Sequence, residues 1–261
     1  MPVAEVNGQR IRYEDSGGEG PPVILAHGFL MDREMFEPQV AELRDEFRVI
    51  TWDERGFGET EFDGEPFTYW DSARDCLALL DHLGIEQAVV GGMSQGGFLS
   101  LRVALLAPER VRALVLIDTQ AGVEDPARLP AYRQMQETWL QAGPVDQLAD
   151  TIADLIIGEP VLNRVWIEKW RQLPREAMGE PCNCLFERDD ITGRLGEIAC
   201  PAIVFHGTAD KSIEIELAEQ LCRGLSGCSG LVRVEGAPHA ANLTHPQQVN
   251  GPLREFLRSV G

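Results

Sequence analysis

Gly92-Met93-Ser94-Gln95-Gly96 decides the fold. The apolar run Ala88-Val89-Val90 precedes it, and a helix-like run from Phe98 to Leu106 follows. Gly-x-Ser-x-Gly between a strand and a helix is a nucleophile elbow, a turn so sharp that the serine sits in a strained backbone conformation. Residues two places either side of the serine nearly collide, so Gly92 and Gly96 must lack side chains. The geometry exposes the Ser94 hydroxyl at the tip of a strand and aims the backbone N–H of Gln95 at a reacting carbonyl. By itself the pentapeptide also fits a glycine-rich turn with an incidental serine, so its surroundings carry the weight.

Those surroundings alternate strands with helices. Val3 to Val6 and Arg10 to Glu14, joined by Asn7-Gly8, read as a hairpin with a tight turn. Val23-Ile24-Leu25-Ala26 is fully apolar, as in a strand buried on both faces of a parallel sheet. Phe47 to Trp52, Ala88 to Val90, Val111 to Ile117, Pro201 to Phe205 and Gly230 to Val234 read as further strands. Helices are expected over Met35 to Leu43, Tyr69 to Leu83, Ile213 to Leu221 and Pro246 to Val260. The pattern predicts an α/β fold with a mostly parallel central sheet and helices on both faces.

One stretch breaks the alternation. From about Gly122 to Glu197 only helical patterns recur: Leu129 to Ala142, Val145 to Ile157, Val161 to Leu173 and Glu176 to Asp189. About 75 residues is too long for a structureless loop. The expected organisation is a core domain of residues 1–121 and 197–261 with a helical cap, 122–196, inserted between two strands. Met135, Trp139, Trp166, Trp170, Met178 and Phe186 divide between lining a pocket and gluing the cap to the core.

A chain of 261 residues buries about three quarters of its unfolded surface and needs no metal or disulfide staple. A formal charge of −19 argues against nucleic acid and anionic membrane as partners. No apolar run is long enough for a transmembrane helix. Met1 to Gly8 lacks the basic-then-apolar pattern of a secretion signal, so a cytoplasmic location is expected. The six cysteines are then expected as free thiols. Cys222 and Cys228, flanking a Gly/Ser turn, are the pair that would close under oxidising conditions. Cys182-Asn183-Cys184 lacks a second Cys/His pair at zinc spacing, and no metal is expected. There is no dinucleotide-binding Gly-x-Gly-x-x-Gly after the first strand and no P-loop, so no cofactor is implied.

Sheets of this kind put their active sites at the carboxyl ends of strands. Such positions carry His27-Gly28-Phe29, Ser94, Asp210 and His239. A serine hydroxyl is a poor nucleophile at neutral pH; it needs a base in contact and a third group to hold the base's tautomer. Ser94, Asp210 and His239 follow one another with gaps of 116 (210 − 94) and 29 (239 − 210) residues. Serine, acid, histidine is the α/β-hydrolase order. Asp118 also ends a strand and is the rival acid. His27 and His206, each before a glycine at a strand end, read as structural hydrogen-bonding groups, and His82 as solvated. Asp53 and Arg55 read as a turn that buttresses the elbow.

With the elbow, His27-Gly28-Phe29, Asp53-Glu54-Arg55-Gly56-Phe57-Gly58, Gly207-Thr208-Ala209-Asp210 and Gly236-Ala237-Pro238-His239, the chain resembles the α/β-hydrolase superfamily over essentially its whole length. The subgroup it most resembles holds small esterases, enol-lactonases and cofactor-free haloperoxidase-like enzymes. The resemblance implies Ser94 as nucleophile, His239 as base and Asp210 as orienting acid. It implies an oxyanion hole from the N–H groups of Phe29 and Gln95. Thr60 stands where a serine is common. Leu30, where perhydrolase-like relatives commonly carry proline, leans towards plain ester hydrolysis. The expected activity is hydrolysis of an ester or lactone of a small, mainly apolar substrate. C–C bond hydrolysis, perhydrolysis and a non-catalytic receptor are the alternatives. Oligomeric state is left open.

Overall fold

A computed structural model describes residues 2–261; Met1, the first residue of the stretch read for a signal, lies outside the described residues. Eight strands form one sheet in the order β1-β2-β4-β3-β5-β6-β7-β8. They are β1 (Val3–Val6), β2 (Gln9–Asp15), β3 (Pro22–Ala26), β4 (Arg48–Trp52), β5 (Ala88–Met93), β6 (Val111–Ile117), β7 (Ala202–Gly207) and β8 (Cys228–Val234). The first two pairings, β1 with β2 and β2 with β4, are antiparallel, and all others are parallel. Asn7 and Gly8 both take positive φ (48° and 74°), the twist a two-residue hairpin turn requires.

The sheet is covered on both faces because its strands are apolar on both. Along β3, Val23 and Leu25 point into one core while Ile24 and Ala26 point into the other, the period-two alternation of a strand. On the second face lie α2 (Tyr69–His82), α3 (Gln95–Leu106) and α8 (Ile215–Gly224). On the first lie α1 (Glu37–Leu43), the short α9 (Ala241–Thr244) and α10 (Pro246–Val260). Tyr69 begins α2 behind a Thr68–Asp71 capping box, which satisfies two orphan N–H groups reciprocally.

Between β6 and β7 there are only helices: α4 (Leu129–Ala142), α5 (Asp146–Ile156), α6 (Pro160–Trp170) and α7 (Glu180–Phe186), with short 3-10 turns. The single helix expected over Glu176 to Asp189 is two pieces, a 3-10 turn at Arg175–Met178 and then α7. Gly179 separates them, and Pro181 sits in the first turn of α7, where its missing N–H costs nothing. Trp139, Trp166 and Trp170 are buried in the core shared with α1 and α10, so they fasten these helices to the sheet. Trp170 Nε1 donates to the Leu30 carbonyl at 2.7 Å, tying α6 to the loop after β3.

The expectation of six free thiols is corrected. Cys222, near the end of α8, and Cys228, at the start of β8, form a disulfide. The tight connection between the two elements holds their Cα atoms 5.4 Å apart, inside the range a disulfide spans. Cys76, Cys182, Cys184 and Cys200 are free.

Candidate active site

Ser94 stands between β5 and α3 with φ 54° and ψ −113°. A positive φ at a residue with a side chain is strained, and such strain persists only where the surroundings over-determine it. A Cβ on Gly96 would lie 2.0 Å from the Ala26 carbonyl oxygen, and one on Gly92 would lie 2.4 Å from the Gly96 carbonyl carbon. The glycines therefore let the elbow pass both itself and β3; the second contact was not foreseen from the sequence. The Ser94 carbonyl accepts hydrogen bonds from Gly97 and Phe98 N–H and from the Thr119 hydroxyl, which fixes the turn.

Gln95 is the first residue of α3, so its N–H has no partner within the helix. Among the described residues, neither it nor the Phe29 N–H donates to a protein acceptor. The α3 N-terminus adds the positive end of its dipole. Leu30, the residue after Phe29, also takes a positive φ, 57°.

His239 Nδ1 and Asp210 Oδ2 are 2.7 Å apart. The other Asp210 oxygen accepts N–H bonds from Ser212 (2.7 Å) and Ile213 (3.0 Å). Burial would push the Asp210 carboxyl up, but the His239 charge and hydrogen bond outweigh it and leave the carboxyl below its usual range. Burial would likewise lower the His239 imidazole; the Asp210 charge and hydrogen bond outweigh it and raise it. His239 Nε2 is the nitrogen left for the serine. Among the described residues there is no hydrogen bond between Ser94 and His239, though both line the same cavity of about 100 Å³. Apo catalytic hydrogen bonds commonly tighten only in the substrate complex. Met135, Met178 and Phe186 line that cavity, whereas the three buried tryptophans of the helical segment do not.

Asp118, the rival acid, does not touch His239. One of its oxygens accepts the Gly207 N–H at 2.7 Å, and the other accepts the Ala241 N–H at 2.9 Å. The first partner starts the turn that carries Asp210; the second lies two residues beyond His239. Asp118 thus joins the loop of Asp210 to the loop of His239, with its own backbone at φ 46°. Its burial, and then the Asp210 charge, hold its carboxyl well above the usual range. His206 donates from Nε2 to the Ile213 carbonyl at 3.0 Å, and His27 contacts its neighbour Gly28 while accepting the Glu54 N–H at Nε2. Both are buried supports, as their sequence positions suggest.

Asp118, His206 and Asp210 could geometrically hold a cation. Their donor atoms are largely committed to backbone groups and to His239, so the cluster reads as the underside of the Asp210–His239 pair. Asp53 accepts from Arg33 and from the Glu59 N–H. The Thr60 hydroxyl donates to the Asp53 carbonyl at 2.6 Å and accepts from the Arg12 N–H, supplying what a serine would. Sequence reasoning missed Glu54, whose fully buried carboxyl is held well above its usual range by burial beside Gln95.

A family model described as the alpha/beta hydrolase fold matches residues 21–246. Among similar proteins is 3-oxoadipate enol-lactonase 2 of Acinetobacter baylyi, 27% identical, with 91% of this chain and 89% of that protein covered. Another is a non-heme chloroperoxidase of Streptomyces lividans, 27% identical over 98% of this chain and 99% of that one. A thermophilic esterase from Thermogutta terrifontis has a solved structure that superposes with a TM-score of 0.91 at 30% identity, covering 100% and 99% of the two chains. With the sheet order and the elbow, these matches establish that the chain belongs to the α/β-hydrolase-fold family.

Proposed function

We propose that this chain is a serine hydrolase that cleaves a carboxylic ester or lactone of a small, mainly apolar substrate through an acyl-enzyme on Ser94. The observation that carries this reading is the 2.7 Å His239–Asp210 contact beside an apolar cavity that Ser94 also lines. The class agrees with the esterase and enol-lactonase names among its relatives.

The Ser94 hydroxyl adds to the substrate carbonyl while His239 Nε2 takes its proton. The carbonyl oxygen becomes an oxyanion facing the Phe29 and Gln95 N–H groups, which stabilise charge that exists only at that stage. Asp210 stays ionised and steadies the imidazolium. His239 then gives the proton to the departing alkoxide oxygen, leaving an ester on Ser94. Water enters, His239 takes its proton, and the reverse sequence frees the acid and Ser94. An apolar cavity of about 150 Å³ holds benzene, so a cavity of about 100 Å³ fits a group of only a few carbons. Among the described residues no helix is long and apolar enough to cross a membrane. A small-molecule substrate is the proposed partner, and the −19 charge suits an aqueous compartment; the cytoplasm, proposed as the location, is a reducing compartment in which the Cys222–Cys228 bond would tend to open.

Turnover of short aryl and alkyl esters and of lactones by wild type and by Ser94→Ala tests the reading. Loss of several orders of magnitude in the variant is expected. Wild-type turnover in Ser94→Ala, or better turnover of diketones than of any ester or lactone, would overturn it.

A further inference from the structure

The wall of the cavity beside Ser94 is almost wholly apolar and aromatic, with Phe29, Phe98, Tyr132 and Phe186 among its lining. It contains one carboxylate, Glu124. This residue lies in the connection between β6 and α4, and its side chain is 14% exposed. Among the described residues no lysine or arginine lines the same cavity.

The nearest cation stands behind the wall and offsets the carboxylate only in part. Arg188 Nη2 pairs with Glu124 Oε2 at 3.4 Å and the Asp125 N–H donates to the other Glu124 oxygen, but Arg188 does not line the cavity and Glu124 does. The rest of the guanidinium is spent elsewhere: Nε donates to the Gly122 carbonyl at 3.0 Å, Nη1 to the Leu185 carbonyl at 2.7 Å, and its plane covers the Phe98 ring at 4.5 Å. Its side chain is 1% exposed, so it braces the loop and offers no donor to a ligand. Arg128, the next basic residue, turns to the Ser212 carbonyl and to Glu214. A charge brought into the cavity therefore meets a carboxylate and aromatic faces, the chemistry that receives an ammonium group. The field of Glu124 also reaches the triad: after burial and the larger effects of Asp210 and Asp118, it is among the charges that raise the His239 imidazole.

Resting on the ester-hydrolase reading above, we propose that Glu124 sets the charge selectivity of this site. Neutral esters and esters bearing a quaternary ammonium group are admitted, and substrates carrying a free carboxylate are rejected. One like charge several ångströms away, at an effective dielectric of about 20, would alone lower productive binding by about 10- to 100-fold; the Arg188 charge behind the wall offsets part of this and leaves about 3- to 10-fold. An opposite charge gives a smaller gain, because the cation must leave water to obtain it.

The test uses p-nitrophenyl esters whose acyl chains end in tert-butyl, trimethylammonium or carboxylate. A second trio carries the same three groups on the alcohol side of acetate esters. For wild type, kcat/KM for the carboxylate member should fall about 3-fold or more below its tert-butyl isostere in one trio or both, with the trimethylammonium member at least equal to the isostere. In Glu124→Gln that carboxylate-to-neutral ratio should rise by about 10-fold or more, and in Glu124→Asp, which keeps the charge, it should stay near wild type. Equal hydrolysis of carboxylate and neutral members by wild type overturns the proposal, as does discrimination that survives Glu124→Gln unchanged. If Glu124→Gln does not fold, Glu124→Ala gives the same comparison, and the wild-type ratios stand as the test if both fail. No hydrolysis of any ester, with no adduct on Ser94 from a neutral fluorophosphonate, would instead sink the hydrolase reading itself.

Discussion

Replacing Asp118 by asparagine separates a clamp from a catalyst. In the folded chain each Asp118 oxygen takes one backbone N–H, at 2.7 Å from Gly207 and 2.9 Å from Ala241. The amide keeps one acceptor and turns an NH₂ towards the other N–H, whichever way it flips. One buried donor is then left without a partner at a fully buried site, a loss of about 1–3 kcal/mol. Part of that is returned, because the carboxyl is held well above the usual range by burial and by the Asp210 charge. A raised value also fixes the pH dependence. The folded chain binds this proton more tightly than the unfolded one. Its contribution to stability is full below the unfolded value of 3.8 and is lost as pH rises through the folded value. Asp118→Asn lacks that slope. Urea unfolding at several pH values should show a less stable variant whose deficit narrows as pH rises. With short p-nitrophenyl esters kcat/KM should fall by about tenfold, through looser placement of Asp210 and His239. Unchanged stability and rate would refute the clamp. A loss as deep as that of Asp210→Asn would move the catalytic acid to Asp118.

Four further outcomes rest on other contacts in the structure. The reaction needs a neutral imidazole and His239 is raised, so the acid limb of kcat/KM should have an apparent pKa above 6.5. Asp210→Asn should cost about 10³–10⁴-fold in kcat, and a pH–rate profile measures both. Trp170→Phe removes the donor to the Leu30 carbonyl; it should cost about 1–3 kcal/mol in urea unfolding and lower kcat more than it raises KM, because Leu30 follows Phe29, the proposed oxyanion donor. Reduction of Cys222–Cys228, six positions apart, should lower stability by about 2 kcal/mol without loss of ester turnover, since the bond lies at the β8 edge of the sheet; loss of turnover on mild reduction would contradict that.

The elbow was legible because its demands are local: two glycines and a serine between a strand and a helix state the backbone problem and its solution together. The mostly parallel sheet was legible from short apolar runs spaced by helices, while the order of its strands came only with the structure. The choice between Asp118 and Asp210 was not decided by pattern, since both end parallel strands. It depends on which carboxylate the backbone already occupies, and that is set by the approach of Gly207 and Ala241. The helix read over Glu176 to Asp189 failed at Gly179, where a glycine followed by Pro181 outweighed apolar spacing. The Cys222–Cys228 bond depended on how tightly α8 turns into β8. Glu124 reads in sequence as an ordinary polar loop residue; it becomes part of the cavity wall only because the β6–α4 connection is carried alongside Ser94.

The central claim is that Ser94 becomes nucleophilic through His239. Intact-mass measurement after exposure to a fluorophosphonate, with peptide mapping, tests it most directly. The expected result is a single adduct on Ser94 in wild type, with labelling slowed by orders of magnitude in His239→Ala. Labelling at another residue, or equal labelling rates in the two proteins, would contradict the account.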